Sequence, residues 1–296
     1  LAGTEASGLY EARLGAEEMP GKEVHVFCGA YREDEFDELL NYADHIVFNS
    51  VNQLRRFGKR AKDAGKSIGL RINPECSTQE GHEIYDPCAP GSRLGTRLCE
   101  FEDALSEDPS LLECLDGFHF HTLCEQDSDA LERTLPAVEE KFGDVLPRMK
   151  WLNMGGGHHI TKPGYDIPRL ERCIRYAKDK WDVQVYLEPG EAVALNAGFL
   201  ATRVLDVVTN GSTRIAILDA SAACHMPDVI EMPYTPLLYA ADEEGCGDWV
   251  YRLGGPTCLS GDVIGDYGFG APLQEGDLLL FGDMAIYTTC KNNTFN

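Results

Sequence analysis

The chain has 296 residues, of which 43% are hydrophobic and 25% are charged, enough for a sizeable core in one or two domains. Its 49 acidic residues outnumber its 26 lysines and arginines, and the formal net charge of −23 argues against binding to nucleic acid or to an anionic membrane. No apolar run is long enough to cross a bilayer, so no membrane-spanning helix is predicted.

Residues 1–195 alternate between strand-like and helix-like patterns. The chain opens on a loop, and Ser7 is expected to cap a short helix that ends at Gly15. Strand-like runs follow at residues 23–28, 45–49, 67–73, 117–123, 151–154 and 183–187. Helical patterns separate them at residues 34–42, 51–64, 101–114, 127–142 and 168–181. Strand followed by helix in this repeated order predicts a parallel sheet.

These units fit either an open doubly wound sheet or a TIM-like (β/α)₈ barrel. No GxGxxG sequence opens a helix after the first strand, which disfavours a dinucleotide-binding fold. We therefore predict an α/β barrel, with its first two strands missing from this chain. The Pro- and Gly-rich loop at residues 74–95 is long enough to be expected in a functional role.

The pattern changes after about Asn196. Alternating, β-branched runs at residues 199–208 and 214–218 flank Asn210-Gly211, a strong hairpin signal. Further short runs at 249–253, 263–264 and 277–281 are broken by Gly and Pro. We predict a barrel domain over residues 1–195 and a C-terminal all-β domain over residues 196–296.

Two successive strand ends in the barrel region carry residues suited to one site. The apolar run from Trp151 ends at Gly155-Gly156-Gly157, and glycines let backbone N–H groups approach an anion closely. The next strand ends at Glu188-Pro189-Gly190. Because the C-terminal ends of barrel strands meet on one face, we expect the anion loop and the carboxylate in the same site.

Histidines and cysteines supply further candidates. His119 and His121 alternate on one strand, so both face the same way. They are either core histidines or, with Glu188 and His158-His159, metal ligands; their spacing matches no metal signature, and no metal is predicted. Cys258 lies four residues before Asp262 in a Gly-rich segment. This segment is either a plain surface turn or a turn that carries a reactive thiol.

The cysteine pattern also indicates a compartment. The eleven cysteines form an odd number without CxxC pairs, and several lie in apolar runs. This usage is typical of thiols in a reducing environment rather than of a disulfide framework. We therefore expect a cytoplasmic protein.

Several motifs, in this order, resemble those of the alanine-racemase-like (fold type III) pyridoxal-phosphate decarboxylases. They are Met154-Gly155-Gly156-Gly157, Glu188-Pro189-Gly190, Gly255-Pro256-Thr257-Cys258 and Met284-Ala285-Ile286-Tyr287-Thr288. Other motifs are similar to those of the carboxynorspermidine and carboxyspermidine decarboxylases within that family. These are the stretches at residues 6–15, 46–50, 92–95, 225–228 and 258–266.

The resemblance implies a barrel followed by a β domain, bound pyridoxal 5′-phosphate, and a homodimer with active sites at the subunit boundary. Gly155, Gly156 and Gly157 resemble the phosphate-binding glycines, and Tyr287 the tyrosine near the phosphate. Glu188 resembles the acid that pairs with the pyridine nitrogen, and His121 the histidine that stacks on the ring. Cys258 resembles the thiol given by the partner subunit, which returns a proton after CO₂ departs.

Departures from the family pattern indicate the substrate. Glu191 stands where ornithine and diaminopimelate decarboxylases have the arginine of Glu-Pro-Gly-Arg, and Ile286 stands where close relatives often have histidine. Glu231 replaces an arginine that holds the distal carboxylate of diaminopimelate, so a tail amine is favoured. With Asp262 as a further acid, we expect a polyamine-like carboxylated substrate bound by Glu231, Asp262 and Glu191, and decarboxylation to norspermidine or spermidine.

The cofactor lysine defines the remaining alternatives. The family uses a Schiff-base lysine upstream of the Ala-Ser-Gly motif, whereas Lys22, Lys66 and Lys150 lie at strand beginnings, the wrong end of a barrel. We expect that lysine in a segment that precedes this chain. One alternative is a catalytically inert homologue that binds or regulates a related decarboxylase. Another is a metal-dependent hydrolase that uses His119 and His121.

Overall fold

The computed structural model describes residues 1–79, 86–239, 241 and 247–295. They divide into two compact units, Leu1–Ala192 and Val193–Asn296. Each unit has its own cluster of buried hydrophobic side chains.

The first unit is a parallel sheet of seven strands whose spatial order follows the chain order. The strands are β1 (Gly3–Ala6), β2 (Glu23–Cys28), β3 (His45–Phe48), β4 (Ser67–Arg71), β5 (Gly117–His119), β6 (Trp151–Asn153) and β7 (Gln184–Tyr186). The helices are α1 (Leu9–Glu18), α2 (Glu33–Leu39), α3 (Val51–Asp63), α4 (Leu98–Glu107), α5 (Leu111–Cys114), α6 (Ser128–Phe142), α7 (Ile167–Trp181) and α8 (Gly190–Ala194). The predicted barrel-type parallel sheet is confirmed, and the C-terminal ends of its strands lie along one edge.

The beginning of the chain corrects two predictions. Residues 3–6 form strand β1, paired in parallel with β2, where a loop was expected. Helix α1 has Gly8 rather than Ser7 as its N-cap and continues to Glu18, past Gly15. Gly15 is a packing position, because a Cβ there would collide with the Thr4 side chain on β1. The first unit therefore has one strand more than the six expected.

Two further bounds differ from the predictions. The helical pattern at residues 101–114 is two helices, α4 and α5, because Pro109 cannot continue the first of them. Strand β5 ends at His119, so His121 lies in the loop beyond it rather than on the strand. Part of the predicted long loop, residues 80–85, lies outside the described residues.

Trp151 sets the spacing at the centre of the parallel sheet. Its indole lies against Gly69 of β4 and Gly117 of β5, where any Cβ would overlap the ring. Its Nε1 donates a hydrogen bond to Ser67 Oγ at 2.8 Å. The two glycines thus make room for one large side chain, and they fix β6 beside β5 just before the glycine loop.

The second unit is a mixed six-stranded sheet in the order β10-β13-β8-β9-β11-β12. Its strands are β8 (Leu200–Asn210), β9 (Thr213–Leu218), β10 (Leu238–Tyr239), β11 (Trp249–Gly254), β12 (Val263–Phe269) and β13 (Leu278–Phe281). The predicted hairpin is confirmed, because β8 and β9 pair antiparallel across Gly211, whose φ is 61°. Two four-residue helices, α9 (Ala222–His225) and α10 (Asp228–Glu231), interrupt the predicted all-β pattern.

Across the described ranges, none of the helices combines the length and the apolar character that a membrane span requires.

Candidate active site

Glu188 follows β7 and is the central acid of the first unit. Asn153 Nδ2 donates a hydrogen bond to Glu188 Oε1 at 2.6 Å, and His119 Nε2 lies 3.2 Å from Oε2. The partners come from β6 and β5, and the register His119–Asn153–Tyr186 places them side by side at the C-terminal edge. Three neighbouring strand ends therefore position one carboxylate.

Glu188 is held in its charged form. Burial alone raises the pKa of this carboxyl, but the nearby His119 and the hydrogen bond from Asn153 outweigh burial and lower the pKa to about 2. Hydrogen bonds to the ionised form are what keep a buried carboxylate charged. A carboxylate oxygen accepts more than one hydrogen bond, so Glu188 retains acceptor capacity for a cationic N–H group.

His121 presents a neutral imidazole beside this acid. Burial, followed by the charges of Arg71 and His119, lowers its pKa to about 3. Gly156 N–H donates to Nδ1 at 3.2 Å, which leaves the ring proton on Nε2. A neutral aromatic ring tied to the glycine loop is suited to stacking on a flat ligand, and that role of His121 stays a prediction.

The glycine loop forms a backbone cradle. Gly155 and Gly157 have φ values of +70° and +78°, which L side chains rarely adopt. A Cβ would lie 2.5 Å from the Phe120 carbonyl oxygen at Gly155 and 2.7 Å from the Glu188 carbonyl oxygen at Gly156. Only glycine fits at these positions, and a loop of this kind suits a phosphate group.

Asn153 and Arg71 also belong to the site, although no sequence motif predicts them. Asn153 Oδ1 accepts from Gly155 N–H at 2.9 Å, so one side chain links the loop to Glu188. Arg71 Nη2 donates to the His121 carbonyl oxygen at 3.3 Å, and its Cζ lies 4.5 Å above the Phe27 ring. Burial lowers the Arg71 pKa to about 10, which leaves it cationic at neutral pH. The sequence signal that could have identified Arg71 is its position, as a charged residue, within the apolar run 67–73.

Glu191 and the pair His158-His159, which the sequence predicts as candidate site residues, also lie at this edge of the sheet. Glu191 Oε1 lies 3.1 Å from His159 Nε2. His158 Nε2 lies 3.2 Å from the Met154 carbonyl oxygen, which places that ring under the loop. Among the described residues, the groups with three convergent metal-ligand atoms include neither His119 nor His121. The hydrolase alternative therefore has no convergent ligand set.

In the second unit, Cys258 and Asp262 share the turn between β11 and β12. Asp262 is buried; its Oδ2 accepts from Thr257 Oγ1 at 2.7 Å and its Oδ1 from Ala223 N–H at 3.2 Å. Cys258 is exposed on the same turn. Asp262 thus shapes the segment that presents the thiol.

Glu231 and Tyr287 meet at Lys291 in the same unit. Lys291 Nζ lies 2.6 Å from Glu231 Oε2 and 2.6 Å from Asp228 Oδ1. It also lies 5.8 Å from the centre of the Tyr287 ring. The hydrogen bonds that Lys291 donates to both carboxylates raise its pKa. An ammonium group is therefore bound at the acid predicted to bind a substrate amine.

Comparisons with known proteins agree with this geometry. The family described as pyridoxal-dependent decarboxylase, C-terminal sheet domain, matches residues 31–285. The chain is 45% identical to the carboxynorspermidine/carboxyspermidine decarboxylase of Campylobacter jejuni subsp. jejuni serotype O:6, over 100% of this chain and 78% of that protein. It is 44% identical to the carboxyaminopropylagmatine decarboxylase of Synechocystis sp., over 100% of this chain and 75% of that protein.

A solved structure supports the same relationship. The crystal structure of carboxynorspermidine decarboxylase complexed with norspermidine, from Campylobacter jejuni, matches with a TM-score of 0.86 and 43% identity, over 100% of this chain and 78% of that one. The glycine cradle and the ionised Glu188 fit pyridoxal phosphate, which is the cofactor of this chain. The predicted resemblance is confirmed, and the chain belongs to the pyridoxal-dependent decarboxylase family.

Proposed function

We propose that this protein decarboxylates carboxynorspermidine or carboxyspermidine, and so forms norspermidine or spermidine in polyamine biosynthesis. The observation that carries the proposal is Glu188, partly buried beside the glycine loop and kept ionised by His119 and Asn153. Relatives of that substrate class, at 45% and 38% identity over nearly the whole chain, support the choice of substrate.

The residues of the first unit have distinct parts in this proposal. When bound, pyridoxal phosphate supplies an electron-accepting ring for the electrons that departing CO₂ leaves behind. Gly155, Gly156 and Gly157 would hold its phosphate, and His121 would pack on the ring. Glu188 would keep the ring nitrogen protonated, because an ionised carboxylate stabilises the N–H form. Asn153 would hold Glu188 and the loop at a fixed separation.

Cys258 is proposed to return the proton. The bond between the substrate carbon and its carboxylate breaks, CO₂ leaves, and the Sγ–H proton adds to that carbon. Solvent then restores the thiol, which the exposure of Cys258 permits. Asp262 and Thr257 would keep the turn in shape while the proton moves.

The substrate tail is proposed to bind at acidic residues. Glu231 already binds the Lys291 ammonium at 2.6 Å, so its surroundings accommodate a primary amine. A substrate amine would compete with Lys291 for Glu231. Asp262 and Glu191 stay predicted substrate contacts, and Tyr287 a predicted phosphate neighbour.

Two further proposals concern the oligomeric state and the cellular location of the enzyme. We propose a homodimer with shared active sites, which the exposed turn at Cys258 and Leu259 supports. We also propose a cytoplasmic location; the cysteines in the described ranges form no disulfide, which supports a reducing compartment.

A substrate panel tests the proposed function. The full-length gene product with pyridoxal phosphate would receive carboxynorspermidine, carboxyspermidine, carboxyaminopropylagmatine, diaminopimelate and ornithine, with CO₂ release as the readout. We expect the carboxylated triamines to react with the highest kcat/KM. Faster reaction with diaminopimelate or ornithine would overturn the substrate assignment. Release of CO₂ from none of the five would favour the inert, regulatory homologue.

A further inference from the structure

A second cluster lies at the same edge of the parallel sheet. Glu125 follows β5, His159 follows β6, and Glu191 lies in α8 after β7. One ligand atom from each of these side chains lies within 4.8 Å of the other two. The loops are joined by backbone hydrogen bonds, from Gln126 N–H to the Gly157 carbonyl at 2.9 Å and from His159 N–H to the Gln126 carbonyl at 3.2 Å.

His159 is buried without a hydrogen bond for its ring. The residue is 9% exposed, and neither Nδ1 nor Nε2 has a hydrogen-bond partner. Nε2 lies 3.1 Å from Glu191 Oε1, but the two groups are not aligned for a hydrogen bond. Leaving a buried polar atom unsatisfied costs roughly 1–3 kcal/mol, so such atoms in a folded protein call for an explanation. A bound ion between the ring and the carboxylates supplies one.

We propose that Glu125, His159 and Glu191 bind one divalent transition-metal ion. An imidazole nitrogen with two carboxylates suits Mn²⁺ or Zn²⁺, whereas Mg²⁺ and Ca²⁺ take oxygen ligands. Ligand bonds of about 2.0–2.2 Å bring donor atoms to roughly 3.3 Å from one another, so the cluster closes slightly around the ion. Glu125 is exposed, so an ion reaches the cluster from solvent.

The ion would add a positive charge next to the glycine loop. Glu191 stands at the position where the resemblance places a phosphate-side arginine in ornithine and diaminopimelate decarboxylases. A metal ion held by Glu191 and His159 would restore that charge with different chemistry. The spacing of the three ligands does not indicate this site, because they are 34 and 32 residues apart and match no metal signature. The inference rests on these side chains and does not depend on the proposed substrate.

A third cluster, at the opposite edge, provides a matched control. Glu23, His25 and His45 also bring three ligand atoms within 4.8 Å. There, however, the His25 and His45 rings stack 3.9 Å apart at an interplanar angle of 9°. His25 Nε2 also forms a hydrogen bond with Glu23 Oε2 at 3.2 Å, so this ring, unlike that of His159, already has a partner.

Mn²⁺ binding tests the proposal, because Mn²⁺ prefers oxygen and nitrogen donors over the many thiols of this chain. Tag-free, cofactor-loaded full-length protein would be treated with chelator, dialysed and titrated with MnCl₂, with free Mn²⁺ followed by EPR. We expect one saturable site per chain. Loss of a direct ligand should weaken binding at least about tenfold, as loss of an outer-shell partner already does. Glu191→Gln and His159→Gln should both do so, and Glu23→Gln should bind as the wild type.

Folding of the variants is checked by circular dichroism and thermal melting. If His159→Gln fails to fold, the exposed Glu125→Gln variant tests the same site. The absence of saturable binding in the wild type would overturn the proposal, and so would unchanged binding in Glu191→Gln and Glu125→Gln or lost binding in Glu23→Gln. None of these readouts uses decarboxylation, so they stand apart from the substrate panel.

Discussion

One carboxylate lies at each edge of the parallel sheet, Asp116 buried and Glu188 partly buried, and the two have different partners. Glu188 at the C-terminal edge is bound by an amide and an imidazole. Asp116, just before β5 at the N-terminal edge, accepts from the Ile68 backbone N–H at 3.0 Å and forms ion pairs with Lys62 and Lys150 at 3.1 and 2.8 Å. Both pKa values are lowered, each against the opposing effect of burial.

The difference in partners suits the two carboxylates to different functions. The charge of Asp116 is balanced by two lysines, and its hydrogen bonds join the beginnings of neighbouring strands. The hydrogen-bond partners of Glu188 carry no permanent positive charge, so its negative charge is available to a cationic ligand. In barrel enzymes the C-terminal edge carries catalysis and the N-terminal edge stability. A substitution of Glu188 should therefore reduce activity, whereas a substitution of Asp116 should reduce stability.

The largest effect is expected for Glu188→Gln. The amide keeps the shape of the side chain but removes the charge that stabilises a protonated ring nitrogen. Loss of one preorganised electrostatic group costs on the order of 10²–10³ in kcat. Steady-state decarboxylation and the melting temperature should be measured together. Near-normal kcat in a folded, cofactor-loaded variant would contradict the role given to Glu188.

Glu231→Arg should impair substrate binding. Because the juxtaposition of like charges costs several kcal/mol, kcat/KM for carboxynorspermidine should fall roughly 10²-fold. Lys291→Met is the matched control: it frees Glu231 from its internal ammonium and should leave KM unchanged or lower. Wild-type turnover in Glu231→Arg would refute the tail assignment.

Asp116→Asn should show the reverse behaviour of Glu188→Gln. Two lysines lose their buried partner, and the free energy of unfolding should fall by about 1–3 kcal/mol. The value of kcat should stay that of the wild type, because the substitution lies at the opposite edge. Urea unfolding and turnover give the two numbers. A tenfold loss of kcat with unchanged stability would contradict a purely structural role for Asp116.

The smallest effect is expected for His45→Gln and depends on pH. Burial, followed by the charge of His25, lowers the His45 pKa to about 4. The unfolded chain, with a pKa near 6.5, binds a proton that the folded state does not. The contribution of neutral His45 to the free energy of unfolding is therefore fully present above pH 6.5 and is lost as the pH falls towards 4. Between about pH 7.5 and pH 5.5 the wild type should lose about 1 kcal/mol more than the variant; parallel curves from urea unfolding would contradict this.

Much of the fold could be predicted because its signals are local. Helix α3 runs from Val51 to Asp63 almost as predicted, with the Ser50 side chain accepting from Gln53 N–H at 3.3 Å as a cap. Strand β1 was missed because four residues are too few for a period to show, and its place is set by pairing with β2.

The site could be predicted only in part for the same reason. Glu188 and the glycines lie at strand ends and carry recognisable motifs. Asn153 binds Glu188 only because β6 and β7 pair in one register, which the sequence does not display. The contact between Glu231 and Lys291 joins residues 60 positions apart, and no spacing rule reaches that far.

The proposed decarboxylation is tested most directly by mass spectrometry of the product of a single turnover. The full-length protein with pyridoxal phosphate would be incubated with carboxynorspermidine in D₂O. We expect norspermidine with one non-exchangeable deuterium, on the carbon that lost CO₂, because an exchangeable donor such as Cys258 returns the proton. Unchanged carboxynorspermidine, or a product that retains its carboxylate, would contradict it.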